Sequence, residues 1–175
     1  MWKERCTIKA LTNNFKTIDF IMHKIGFYRD GNGELNIQGI KITSLAEKYG
    51  TPFFIYDAGL MKERYNTFFD TIKEVQGNIH YAVKANDALS VISYFAKLGC
   101  GADIVSIGEF EKCIAAGMSP QKIIFSGVGK DNHEIEFALK NDILQFNIES
   151  EEELKDISAI ASRLKSVSYT HLRAH

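Results

Sequence analysis

The feature that most constrains this chain is an alternation of short apolar runs with amphipathic segments that starts at residue 53. The runs 53–56, 79–83, 102–105, 123–125 and 143–148 read as buried strands. Between them, Leu60, Tyr65, Phe68, Phe69, Ile72 and Val75 give one helix an apolar face, and Val91, Ile92, Phe95 and Leu98 give the next its own. Ser106 with Glu109, Asp131 with Glu134 and Ser150 with Glu153 have the spacing of capping boxes at three further helix starts, and Gly99 and Gly117 read as helix stops. Parallel neighbours need a crossover connection, so the pattern predicts five parallel β-α units. Two architectures hold five such units: a doubly wound five-stranded sheet, or the first five units of a (β/α)8 barrel. At 175 residues the chain is short of the roughly 250 of a complete barrel.

Ahead of the alternation, Asp30-Gly31-Asn32-Gly33 between two apolar runs predicts a hairpin. Ser44 with Glu47 predicts the start of a short helix that Gly50 ends, with Pro52 just beyond. Twenty-one basic residues against 22 acidic give a net charge of −1, which offers no electrostatic case for nucleic acid or an anionic membrane. No run approaches the ~18 apolar residues of a membrane helix. Residues 1–16 lack the continuous apolar region of a secretory signal, so the cytoplasm is the expected address. Cys6, Cys100 and Cys113 make no close pair and are expected as reduced packing residues.

Candidate chemistry narrows quickly. Gly127-Val128-Gly129-Lys130 follows a strand, but Ile124 and Asp131 occupy positions where a phosphate-binding loop needs Gly and Ser or Thr. No Gly-x-Gly-x-x-Gly follows the first run, where Asp57-Ala58-Gly59 stands. His23, His80, His133, His171 and His175 form no metal-binding pattern, so no metal is expected. What remains is Lys84, at the C-terminal end of the second strand, the end at which parallel β-α folds carry their sites. Between apolar walls, a lysine there would favour its neutral, nucleophilic form; the alternative is a strand-end lysine pointing into water. Asp103 sits within an apolar strand and needs a partner if buried, with Lys84 the nearest candidate, or stays wet at a strand edge. Ser106 and Glu109 are explained by capping, and Cys113, Phe68 and Phe69 are expected in the core.

Tyr81-Ala82-Val83-Lys84-Ala85-Asn86 resembles the cofactor-lysine motif of the pyridoxal-phosphate decarboxylases that act on diaminopimelate, ornithine and arginine. The stretches 44–57, 101–106, 123–130 and 147–150 resemble the diaminopimelate branch of that family in the same order, so that the resemblance spans about residues 25–165. It implies an alanine-racemase-like barrel followed by a β-domain, with pyridoxal 5'-phosphate held covalently by Lys84 and with Ala82 and Asp103 lining the cofactor. It also implies a small amino-acid substrate, meso-2,6-diaminopimelate converted to L-lysine and CO2, and a homodimer, with another basic amino-acid decarboxylase or a racemase-like enzyme as one alternative; a non-catalytic doubly wound binding domain is the alternative of another class. Ile107 and Phe95 depart from the family pattern, which more often has smaller residues there. The phosphate loop, the acid facing the ring nitrogen and the substrate-binding residues come later in family chains.

These readings divide the chain into a non-native or extra segment 1–21, with translation expected to start at Met22, a hairpin region 22–43 associated with the β-domain, a partial cofactor-binding barrel 44–166, and a tail 167–175. The tail resembles a translated sequencing adapter, and the reading frame is expected to leave the gene near Ser166. With barrel closure lost, the chain by itself is expected to be inactive and prone to aggregate.

Overall fold

A computed structural model of the chain describes residues 26–167 and 169–172. The segment 1–21, the start at Met22, Cys6, His23 and His175 lie outside the described residues. The chain divides into two compact units, Met1–Phe68 and Phe69–His175.

In the first unit, β1 (Phe27–Arg29) and β2 (Leu35–Ile37) form the expected hairpin, with Phe27 opposite Ile37. Asp30 builds its turn by accepting from the amides of Asn32 and Glu34 through Oδ1, at 2.9 and 3.0 Å. A third strand, β3 (Ile40–Lys41), folds back on β2 and hands the chain directly to helix α1 (Ile42–Tyr49). The helix therefore begins earlier than expected: Ser44 is no cap but lies in the first turn, its hydroxyl donating to the Lys41 carbonyl at 2.7 Å. Gly50 ends α1 as expected, at φ 78°. Residues 53–56, expected as the first barrel strand, pair with no strand among the described residues, and Phe54 is 89% exposed. Asp57 opens α2 (Ala58–Ile72) by accepting from the Leu60 amide at 3.0 Å. Phe68 and Phe69, expected in the core, are 56% and 43% exposed. Leu60, Tyr65 and Ile72 of the same helix are half-buried.

In the second unit, five parallel strands run in sequence order: β4 (His80–Ala82), β5 (Gly101–Ile104), β6 (Ile123–Phe125), β7 (Gln145–Ile148) and β8 (Tyr169–Leu172). A doubly wound sheet reverses its strand order part way across; this one never does, so it is the arc of a (β/α)8 barrel. The fifth strand is drawn from 169–172, within the stretch expected to be a tail. It pairs with β7 from Gln145 opposite Tyr169 to Ile148 opposite Leu172.

Side chains alternate across the sheet. One face, with Ala102, Ile104, Ile123, Phe125, Phe146 and Ile148, is buried under α3 (Leu89–Lys97), α4 (Ile107–Ala115), α5 (Asn132–Lys140) and α6 (Glu151–Leu164). Those helices contribute Ile92, Phe110, Cys113, Ile135, Leu139, Ile157 and Ile160. Cys100 and Cys113 are packing residues, as expected, and burial pushes both thiols up to about 11. The opposite face is polar and half-buried, with Asp103, Gln145 and Asn147. Gly101 starts β5 where a Cβ would run into the Lys122 carbonyl and the His80 ring. Phe95, one of the departures from the family pattern, is absorbed by stacking on Tyr81 with ring centroids 4.5 Å apart.

Candidate active site

Lys84 follows β4 in a single turn of 3-10 helix, Val83–Ala85, which places its amine beyond the C-terminal end of the strand. The turn is pinned on both sides. Tyr81 Oη donates to the Asn86 carbonyl at 3.0 Å, and Asn86 Oδ1 accepts from the Ala88 amide at 3.0 Å, starting α3. Next to it, Asp87 pairs with Lys112 of α4, and that ammonium holds the Asp87 carboxyl below its usual range.

Lys84 faces a cavity of about 420 Å³, lined further by Asp103, Val105, Ser126, Gly127, Asn147, Glu149 and His171. Every one of these lies on β5, β6, β7 or β8 or just past a strand end, which puts the cavity at the C-terminal mouth of the barrel arc. Apart from Val105 the wall is polar, and Lys84 is exposed. The apolar surround that would strip water from its amine is not supplied by these residues.

Asp103 does share the cavity with Lys84 but takes a different partner: the Ser126 hydroxyl donates to Asp103 Oδ1. Ser126 Oγ in turn accepts from Asn147 Nδ2 at 2.9 Å, and Asn147 Oδ1 accepts from Gln145 Nε2 at 2.7 Å. A line of hydrogen bonds thus crosses from β7 over the end of β6 to β5, and the carboxylate at its terminus is fixed in direction. Ala82 stands directly opposite Asp103 in the β4–β5 register but is not among the residues lining the cavity. Ser106 and Glu109 act as a cap: Ser106 Oγ accepts from the Glu109 amide at 3.3 Å, and Glu109 Oε2 from the Val105 amide at 2.7 Å.

Ser126, Gln145, Asn147, Glu149 and His171 were not singled out as site residues from the sequence. Their signal is positional, since each lies on a strand or just past one, but a polar residue there is common and does not by itself mark a wall. Gly127 is the other member that only structure explains. It adopts φ 93°, and a Cβ on it would press on the Val105 side chain, so the wall closes tightly only with glycine.

The donor set suits a polar, aldehyde-bearing ligand: a primary amine at the rim, a fixed carboxylate, a hydroxyl and an amide around a space within the usual range for cofactor pockets. Comparison with known proteins points the same way. Residues 58–174 match the family model described as pyridoxal-dependent decarboxylase, pyridoxal binding domain. The chain is 41% identical over 133 residues to a diaminopimelate decarboxylase of Vibrio cholerae serotype O1, covering 76% of this chain and 32% of that relative. Among solved structures, it superposes on the diaminopimelate decarboxylase of M. jannaschii with a TM-score of 0.79 at 32% identity, over 85% of this chain and 35% of that one. It also superposes on the Helicobacter pylori diaminopimelate decarboxylase complexed with L-lysine, with a TM-score of 0.72 at 43% identity, over 75% and 33% of the two chains. The chain spans about a third of the length of the curated relatives it matches. With more than half of its residues, 58–174, matched by the model of the family's pyridoxal binding domain, the chain belongs to the pyridoxal-dependent decarboxylases.

Proposed function

We propose that this chain forms the cofactor-binding part of a diaminopimelate decarboxylase, with Lys84 as the residue that carries pyridoxal phosphate. The observation that carries the reading is the placement of Lys84 and Asp103 on one cavity at the C-terminal end of a parallel barrel arc. When bound, the cofactor supplies a conjugated pyridinium that takes up the electron pair released as a carboxylate leaves as CO2.

The residues of this chain hold and orient. Lys84 would hold the cofactor through its primary amine, the group on this wall able to bond an aldehyde covalently and reversibly. Asp103 presents a carboxylate, aimed by Ser126 and Asn147, to cationic or hydrogen-bonding groups of the bound molecules. Ala82 is set beside the cofactor by the family resemblance alone; it stands in register with Asp103 but outside the cavity lining. The substrate of this reading is meso-2,6-diaminopimelate and the product L-lysine, after the names of the relatives at 38–48% identity. The working form is a cytoplasmic homodimer. No helix among the described residues is long and apolar enough to cross a membrane.

The test is CO2 release from meso-diaminopimelate by the gene product that carries this chain, set beside ornithine and arginine. Release from diaminopimelate alone, lost in Lys84→Ala and not restored by Lys84→Arg, whose guanidinium stays protonated, supports the reading. Undiminished release by Lys84→Ala refutes it.

A further inference from the structure

Lys130 and Glu153 form an ion pair at 2.8 Å with side chains only 2% and 8% exposed, beneath the wall of the cavity rather than in it. An ammonium has three donors, and Lys130 spends them on three separate elements. They go to the Gly127 carbonyl in the loop after β6 at 2.8 Å, the Asn147 carbonyl on β7 at 2.9 Å, and Glu153 Oε1 on α6 at 2.8 Å. Glu153 Oε2 then accepts from the Glu149 amide at 2.7 Å. Three of the residues so held, Gly127, Asn147 and Glu149, line the Lys84 cavity. Asn147 is held by its backbone while its side chain holds Ser126, and Ser126 holds Asp103.

We infer that Lys130 and Glu153 are positioning residues, a buried clamp that sets the β6 and β7 side of the cavity and, through Asn147 and Ser126, the direction of the Asp103 carboxylate. A buried ion pair is a poor device for stability, since a well-packed apolar pair of similar volume does as well. What an apolar pair lacks is the set of directed bonds to two carbonyls and one amide. The inference rests on the proposal that the cavity receives pyridoxal phosphate, and it makes a further demand on the chain: loss of the clamp must harm binding without harming the fold.

The experiment compares the gene product that carries this chain with its Lys130→Met/Glu153→Leu double variant, in which neither charge is left alone. Three quantities are read: the denaturation midpoint, the Kd for pyridoxal phosphate from the change in cofactor absorbance, and the hydrogen exchange of the Val128, Gly129 and Glu149 amides without cofactor. The clamp predicts a near-unchanged midpoint, a Kd raised roughly tenfold, and exchange at those amides faster by a similar factor. Unchanged Kd and unchanged exchange in a folded double variant overturn it. If the parent chain binds no pyridoxal phosphate, the proposed function fails instead, and the amide exchange alone decides the clamp. Should the double variant not fold, Glu153→Gln, which keeps the shape and weakens the pair, gives the same reading: weaker binding supports the clamp, and parental binding overturns it.

Discussion

The turns that follow β5 and β7 are built to one plan and serve different ends. After β5, Ser106 caps α4 and Glu109, three residues on, reaches back to the amide of Val105. After β7, Ser150 caps α6 and Glu153 reaches back to the amide of Glu149 in the same way. Among the described residues no lysine or arginine pairs with Glu109, whereas Glu153 is buried against Lys130. A helix cap that costs little to make has in the second turn become the anchor of a charge pair that reaches three elements. The difference teaches that capping residues, dismissed as local punctuation when the sequence is read, can be where a site wall is fastened.

The comparison breaks most sharply at Lys130. Lys130→Met leaves the Glu153 carboxylate buried without its counter-charge, and equilibrium denaturation should register a loss of about 3–5 kcal/mol. If the variant stays within ~1 kcal/mol of the parent, the two turns are equivalent after all. Unequal effects of one substitution in both places sharpen it further. Glu153→Gln should destabilise clearly, by a few kcal/mol at most, while Glu109→Gln retains an acceptor for Val105 and should cost no more than ~1 kcal/mol. Ser106→Ala and Ser150→Ala, by contrast, should cost about the same, ~1 kcal/mol each, because as caps they are alike. A wide gap between the two serine variants would mean that the turns differ before Lys130 enters.

The smallest effect belongs to the surface. Glu136 on α5 pairs with Lys140 at 2.6 Å and with Arg163 on α6 at 2.6 Å, and these cations hold its carboxyl below the ordinary 4.5. A depressed acid adds stability above its unfolded value and loses it as pH falls through the folded one, so the contribution disappears below about pH 4.5. Glu136→Gln should flatten that part of the acid limb slightly, and raised salt should mimic it. A pH profile unchanged by the substitution would count this surface link as idle.

Much of the barrel arc was legible in the sequence because local chemistry and long-range packing agree there. The β4 to β7 runs are apolar, their helices carry alternating faces, and Ser106, Asp131 and Ser150 cap where expected. The hairpin followed from Asp30-Gly31-Asn32-Gly33 alone. Pairing is not local, however. The run 53–56 is as apolar as any strand yet pairs with no strand among the described residues, and residues 169–172, with Thr170 and His171 at their centre, find a partner in β7. Ser44 misled because β3, only two residues long, shifted the start of α1.

In the candidate site, Lys84 and Asp103 are singled out by type and place and line one cavity, but their supports are not legible. Lys130 was met as part of a failed phosphate-loop match. Nothing local signals that a lysine will be buried, since burial needs a partner, and Glu153 lies 23 residues away in the chain. Ser126 as the partner of Asp103 is likewise a contact between strand ends that only the sheet brings together.

The central claim is that Lys84, out of all the lysines of this chain, carries the cofactor. The direct measurement is borohydride reduction of the gene product that carries this chain in the presence of pyridoxal phosphate, followed by digestion and mass analysis of every lysine peptide. The account predicts one pyridoxyl phosphate group per chain on Lys84, absent from Lys84→Ala and reached at lower cofactor concentration than any labelling of surface lysines. Label spread over exposed lysines with Lys84 no richer than the rest, or a total undiminished in Lys84→Ala, would contradict it.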